Sequence, residues 1–434
     1  MKNIAAWKAQ FLAGEQDATL TEALSVAADN VPAQRERYAG ALDAFEAKYG
    51  DGDISVYSVG GRSEISGNHT DHNHGRVIAA SVNLDILAVA KATGDGVIRI
   101  QSEGFPEDVV EPAAIDAPDK EKFFTSAAII AGMEKAFLNA GYKVGGFDAY
   151  TTSNVLKGSG ISSSAAFEVM VGNILNYLYN DGQVSNVEIA KMAQFAENRY
   201  FGKPCGLMDQ TACAVGGFIT IDFADPASPV IEKMDFDLGK AGYALCIVNT
   251  GGNHADLNED YASVPAEMKA VAAALGVSVL RETDEAALIA NIGRIREQCG
   301  DRALMRAMHF FAENRRVAAQ VEALRAGDME AFKAGVVASG NSSFKYLQNV
   351  YTTTNVSEQG LSLALCLTED YLAGTGAVCA AYGACRVHGG GFAGTIQAFV
   401  PLCKVADYAA YMDSIFGAHA CHILSVRRDG AMRF

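Results

Sequence analysis

The chain has no excess of positive charge. Its 35 Lys and Arg stand against 51 Asp and Glu, a formal charge of −16 over 434 residues. Phosphate backbones and anionic lipid surfaces therefore repel it at long range, and binding either would need a concentrated basic patch. The sequence contains no such patch. Also missing are the apolar core of a signal peptide in the opening MKNIAAWKAQFLAGEQD and any run of about 18 uncharged apolar residues that could span a bilayer. These absences predict a cytoplasmic protein whose partners are neither nucleic acid nor membrane. Nine cysteines spread from Cys205 to Cys421 include no CxxC pair. That gives no support to zinc ribbons and fits free thiols in a reducing compartment better than a disulfide framework.

Three further absences narrow the chemistry. Neither Gly-Lys pair, Gly202-Lys203-Pro204 nor Gly239-Lys240-Ala241, is followed by Ser or Thr, so there is no Walker A loop. A run His388-Gly389-Gly390-Gly391 has the form of an esterase oxyanion loop, but no Gly-x-Ser-x-Gly nucleophile elbow accompanies it. A dinucleotide fingerprint would want Gly where Ser163 stands, and no clean βαβ unit surrounds that position. Internal repeats and low-complexity linkers are absent as well.

What is present is an ordinary globular composition, half apolar and 20% charged, in a chain longer than one hydrophobic core usually grows. Apolar spacing predicts helices over 32–49, 123–140, 163–179, 261–275, 302–326, 329–347 and 358–373. β-branched runs at 54–59, 79–90, 97–101 and 149–155 predict a mainly antiparallel sheet, and 395–427 reads as strand, helix, strand. Mixed strands and helix clusters without regular βαβ alternation indicate an α+β fold. The expected division is into domains 1–220 and 221–434. The N-terminal 30 residues look poor in core positions.

Four polar or glycine-rich segments carry the candidate chemistry. Lys157-Gly158-Ser159-Gly160-Ile161-Ser162-Ser163-Ser164 lies between a predicted strand and a predicted helix. Glycines there let the backbone approach an anion, and the helix start offers unpaired amides and a favourable dipole. A flexible turn with a helix cap would read the same way. Gly61 to Gly75, GRSEISGNHTDHNHG, is densely polar. It suits a solvated loop, a metal site built from His69, Asp71, His72 and His74, or a polyol site in which Asp71 accepts from two hydroxyls while Arg62, Asn68 and His69 donate. Cys205-Gly206-Leu207-Met208-Asp209-Gln210 sets one acid among small and apolar residues, with Glu197 twelve positions upstream, and 386–394 is a further glycine-rich turn.

In this order the four segments resemble the galactokinase branch of the GHMP kinases (galactokinase, homoserine kinase, mevalonate kinase, phosphomevalonate kinase), over roughly residues 60–400. They are similar to the signature GRxNLIGEHTDYNxG, the ATP loop PxGxGLSSSA, CGIMDQ and the C-terminal GxGFGG element. The resemblance implies a two-domain α+β fold with its active site in the interdomain cleft, and phosphorylation of the C1 hydroxyl of galactose using ATP and Mg2+. It implies Asp209 and Arg62 as catalytic residues, and Asn68, His69, Asp71, Gly206 and Tyr261 around the sugar. Gly158, Ser159, Gly160, Ser162, Ser163 and Ser164 would hold the ATP phosphates. Ser164, or in second place Ser163, would share the metal with Glu197. The partner expected is a small sugar, and a monomer is favoured. Two departures bear on specificity: Asn68 replaces the signature Glu that contacts the C6 hydroxyl, and His72 replaces Tyr. Exchanging a carboxylate for an amide removes a repulsion against a C6 carboxylate, which makes galacturonate the rival substrate. A non-catalytic sugar and ATP sensor is the rival class.

Overall fold

The computed structural model describes residues 2–112, 116–155, 160–203, 205–252, 257–379 and 381–434. The chain opens with helices α1 (Ile4–Leu12) and α2 (Val31–Tyr49); Pro32 sits in the first turn of α2, and Gly50, at φ 71°, ends it. Strands β1 (Ser55–Ser66), β2 (Arg76–Ala92), β3 (Ile98–Ser102) and β4 (Asp108–Val110) follow, then α3 (Ser126–Asn139) and β5 (Phe147–Ser153). Next come α4 (Ser163–Tyr179), α5 (Asn186–Ala196), α6 (Met208–Val215), β6 (Phe218–Asp222) and β7 (Val230–Met234). The start of α5 is fixed by a capping box between Ser185 and Glu188.

Among the described residues these strands form one sheet in the order β12-β1-β2-β5-β3-β4, where β12 (Met432–Arg433) is the chain's last strand. β6 pairs with β2 and β7. The pairing is antiparallel as expected, except for β3 on β5, which is parallel. Both faces of the sheet are covered. Val56, Leu87 and Val89 face α1 and α2, whereas Tyr57, Val59, Ile86, Ala88 and Ala90 face the core under α3 to α6, the period-two alternation of a strand.

The second half supplies β8 (Tyr243–Asn249), α7 (Asn258–Ala274), α8 (Glu285–Ala290), α9 (Ile292–Cys299), α10 (Asp301–Ala326), α11 (Met329–Ser342), α12 (Gly360–Cys379), β9 (Ala384–Val387), β10 (Thr395–Pro401), α13 (Val405–Phe416) and β11 (Cys421–Leu424). Its sheet runs β11-β8-β10-β9, all antiparallel. One face packs on α12 and α13, while Leu245, Ile247 and Phe399 join the core of the first sheet together with Val317 and Phe332 from α10 and α11. No helix of the described residues is long and apolar enough to cross a membrane.

Three expectations need correction. The N-terminal segment is not poor in core: Ile4, Trp7, Phe11, Leu20 and Leu24 are buried, because apolar residues three and four apart make a stripe that covers the outer face of β1 and β2. The polar segment from Gly61 is not a loop over its first half. It continues β1 to Ser66, buried throughout, with Ser63, Glu64 and Ser66 bonded to the second half of the chain and Arg62 to Asp209. The cysteines are not all free, since Cys379 and Cys403 are bridged. The end of α12 and the turn before α13 flank the β9–β10 hairpin, which brings the two Cα atoms to 6.5 Å. The other seven cysteines are unbridged.

Phe11 is the test of the N-terminal layer, being fully buried and stacked on Tyr38 at 4.6 Å, with the Phe434 ring edge-on at 5.4 Å. Phe11→Ala is expected to cost about 3–5 kcal/mol in urea unfolding. A cost within about 0.5 kcal/mol, the range of a surface substitution, would contradict this packing.

Candidate active site

The first fixed point is an ion pair between two distant segments. A register shift in β1 between Gly60 and Arg62 turns the Arg62 side chain toward α6. Asp209 stands in the first turn of α6, where the helix dipole favours a carboxylate. Arg62 Nε donates to Asp209 Oδ1 at 2.7 Å and Nη2 to Oδ2 at 2.6 Å, a bidentate fork. Burial pushes the Asp209 carboxyl up, but the Arg62 charge and hydrogen bonds and the Ser162 hydroxyl outweigh it, leaving the group below its ordinary value. Asp209 is thus an anion at neutral pH.

The third corner is the glycine- and serine-rich loop. Gly158 and Ser159 lie outside the described residues. Beyond them, Arg62 Nη1 donates to the Gly160 carbonyl, and the Ser162 hydroxyl donates to Asp209 Oδ2 at 2.6 Å. Gly61 allows this approach: a Cβ there would sit 2.6 Å from Ile161 Cγ2 and 2.8 Å from its carbonyl. Ser162 takes a left-handed φ of 59°, after which α4 starts at Ser163 with no side-chain cap for the amides of its first turn. Ser163 and Ser164 are half-buried.

Ser164 Oγ lies 3.5 Å from Glu197 Oε1. Glu197 is 2% exposed, and its other oxygen accepts from Gln210 Nε2 at 2.7 Å. Octahedral Mg2+ holds oxygens at 2.0–2.1 Å, so neighbouring ligands stand about 2.9 Å apart and opposite ones about 4.2 Å. The observed separation lies between these values, so the hydroxyl and the carboxylate oxygen would have to close by about 0.6 Å to act as neighbouring ligands of such a cation. Lys203 Nζ, 3.0 Å from Glu197 Oε1, sits on a half-exposed side chain that can swing away. Among the described residues no group of three or more His, Cys, Asp and Glu side chains is arranged to hold a metal. The zinc reading of His69 to His74 thus finds no support: His69 turns inward, and only His72, 3.8 Å away, approaches Asp71.

The expected sugar residues gather in two groups. Asn68, His69 and Tyr261 converge on the turn after β9: Asn68 Nδ2 donates to Gly389 O at 2.6 Å, His69 Nε2 to Gly390 O at 2.8 Å and Tyr261 Oη to Gly391 O at 2.8 Å. The Tyr261 ring is held edge-on to Phe392 at 5.4 Å. Asp71 and Gly206 form the other group. A Cβ at Gly206 would lie 2.5 Å from Asp71 Oδ2, so the glycine makes room for that carboxylate. Asn68 is fully buried, and its amide is committed to protein: besides Gly389 it donates to Glu64 Oε1 at 3.0 Å and accepts from Asn349 Nδ2 at 2.8 Å.

Several residues here were not anticipated. Glu64 pairs with Arg386 at 2.8 Å, Ser63 bonds His388 Nε2 at 3.0 Å, and Gln397 donates to Ser63 Oγ at 2.8 Å. His309 Nε2 donates to Asn68 O at 2.9 Å, and Glu313 accepts from Gly67 N at 3.1 Å. Glu64 and Ser63 stood inside the polar segment, and Arg386 and His388 inside the glycine-rich segment 386–394, but their pairing spans some 300 residues and left no signal in either.

The fold and these motifs define a GHMP kinase. The model of the GHMP kinases N terminal domain matches residues 126–217, and that of the galactokinase galactose-binding signature matches 43–92. The chain is 32% identical over 388 residues to a galactokinase of Streptomyces coelicolor, spanning 88% of this chain and 94% of that one. It is 31% identical to a galactokinase of Streptomyces lividans, over 82% and 85% of the two chains. The chain belongs to the galactokinase family. In fold it is similar to a Lactococcus lactis galactokinase solved with galactose (TM-score 0.74, 23% identity, 90% of this chain and 98% of that one) and to mevalonate kinase (TM-score 0.60, 13% identity, 86% and 99%).

Two imidazoles, His388 buried and His69 half-buried, give a check on the geometry. Burial pushes His69 down to about 4, against the Gly390 carbonyl and with His72 adding to the fall; burial, then Arg62 and Arg386, pushes His388 down to about 3. Both are expected to be neutral by imidazole NMR at about pH 5.5, with His69 protonated on Nε2 because a carbonyl only accepts. The unfolded chain, where His titrates near 6.5, binds more protons below that pH. Their contribution to stability is therefore complete above about pH 6.5 and declines as the pH falls toward their folded values. A midpoint near 6.5 for either residue would contradict the burial.

Proposed function

We propose that this chain transfers the γ-phosphoryl group of ATP to the C1 hydroxyl of galactose. The observation that carries the reading is the bidentate Arg62–Asp209 pair, tied by Gly160 and Ser162 to the start of α4. Phosphoryl transfer passes through a loose transition state, so positioning and charge neutralisation supply most of the rate. In this reading Asp209 orients the C1 hydroxyl. As an anion held at low pKa it is a weak base, so it accepts the proton late, as bonding to phosphorus develops. Arg62 keeps Asp209 ionised and faces the charge growing on the phosphoryl oxygens. The α4 amides with Gly158 to Ser164 receive the phosphates. Ser164 and Glu197 would hold Mg2+, which when bound neutralises phosphate charge.

Asp71, His69, Gly206 and Tyr261 are our candidates for the sugar, with Asn68 shaping the wall behind them. Glu64 stands where the family signature has Asn, and Asn68 where it has Glu. A carboxylate therefore remains 3.0 Å from the Asn68 amide, neutralised by Arg386. The acid has moved back one layer with its charge paired, and the preference for galactose over galacturonate is supported by the likeness to galactokinases. We take the division between the two units to follow β7, because β6 and β7 pair within the first sheet.

Coupled ADP release with D-galactose, D-galacturonate and glucose, with C1 phosphate identified by NMR, tests this directly. Galactose is expected to be preferred. Preference for galacturonate would overturn the sugar assignment, and absence of turnover with ATP bound would favour the sensor. Asp209→Asn is expected to lower kcat by about 10²–10⁴ with ATP binding retained. Undiminished turnover would remove Asp209 from the mechanism.

A further inference from the structure

Behind the Ser164–Glu197 pair lies a second acid for which phosphoryl transfer has no evident use. Glu168, on α4 one turn beyond Ser164, is fully buried, and its Oε1 has no hydrogen-bond partner among the described residues. A carboxyl in such a place is costly to keep. Its Oε2 accepts from Gln210 Nε2 at 3.0 Å, and the same nitrogen donates to Glu197 Oε2 at 2.7 Å. Gln210, fully buried too, follows Asp209 in the first turn of α6.

We infer that Glu168 is a positioning residue which, through the Gln210 amide, fixes the Glu197 carboxylate for the divalent cation. The amide has two N–H groups and one carbonyl. Turned the other way, it would set its oxygen against the Glu197 carboxylate. With Glu197 on one side the donating orientation is favoured, and the amide's second proton reaches Glu168 Oε2, which accepts it whether or not that acid is ionised. Without Glu168 the amide keeps Glu197 and the weak contact with Cys205 Sγ at 3.6 Å, and it can rotate. Capped on Oε2, Glu197 keeps Oε1, which faces Ser164 and the half-exposed Lys203, as a single-point ligand of fixed direction. One helical turn thus presents Asp209 to the sugar side and Gln210 to the metal side, and Glu168 holds the second of these.

The inference rests on the kinase reading, and its test separates the two. Full-length protein is titrated with MgCl2 at fixed ADP, read by thermal shift without sugar, and again by turnover. Glu168→Leu is expected to raise the half-saturating Mg2+ concentration about tenfold or more in both, with the KM for galactose unchanged. Glu168→Gln, whose carbonyl can still accept from Gln210, is expected to recover most of that loss. Wild-type Mg2+ dependence in Glu168→Leu would overturn the inference, as would a Glu168→Gln variant as impaired as the leucine. Should Glu168→Leu not fold, Gln210→Leu takes its place: it must show the same Mg2+ shift, and unaltered dependence would equally overturn the inference. An error in the sugar would abolish galactose turnover yet leave the thermal-shift titration readable.

Discussion

Arg62 buried against Asp209 is the interaction on which the remaining geometry of the site depends. Taking two charges out of water costs several kcal/mol per ion, repaid only when geometry is close and the remaining hydrogen-bonding capacity is met. Here both conditions hold. The fork is bidentate, the third guanidinium nitrogen reaches the Gly160 carbonyl, and Ser162 adds a donor to Asp209. Each of these bonds pins a different segment, namely β1, the end of the glycine- and serine-rich loop and the start of α6. Losing either charge would leave the other uncompensated, so a structural constraint and a chemical one coincide at this pair.

The same logic explains a strand made of polar residues in the middle of a protein. β1 from Arg62 to Ser66 is buried because every polar side chain in it finds a partner across the molecule: Arg62 on α6, Ser63 on His388, Glu64 on Arg386, Ser66 on Gln320. Three of these four partners belong to the second half of the chain. His309 and Glu313 on α10 fasten the following loop at Asn68 and Gly67. The two sheets thus meet along a seam of directional bonds, which fixes their relative placement more closely than apolar contact alone.

Much of this could be read from the sequence where the signal was local. Helix α4 falls where apolar period and the serine run put it, and α10, β10 and α13 lie within a residue or two of expectation, the helices because their apolar periods were clear and β10 because its run is short, mostly apolar and buried throughout. Arg62, Asp209, Ser164 and Glu197 were named from motifs, and they come together. What escaped depended on contacts between distant segments. α1 was missed because its three buried residues, Ile4, Trp7 and Phe11, carry little weight until Tyr38 and Phe434 complete the cluster. The polar half of β1 reads as a loop unless Arg386, His388 and Gln397 are known to face it. Gln210 was visible in its motif, but its purpose required Glu168, forty-two residues upstream.

A double-mutant cycle on Arg62 and Asp209, with Arg62→Lys, Asp209→Asn and both together compared in kcat/KM for galactose, tests the account most directly. Lys keeps the charge but loses the fork, and Asn keeps the shape but loses the charge. If the two residues act as one unit, the double variant will be little worse than the poorer single one, a coupling of about 1.5 kcal/mol or more. Additive losses would show that Arg62 and Asp209 work independently, and would contradict the claim that their pairing organises the site.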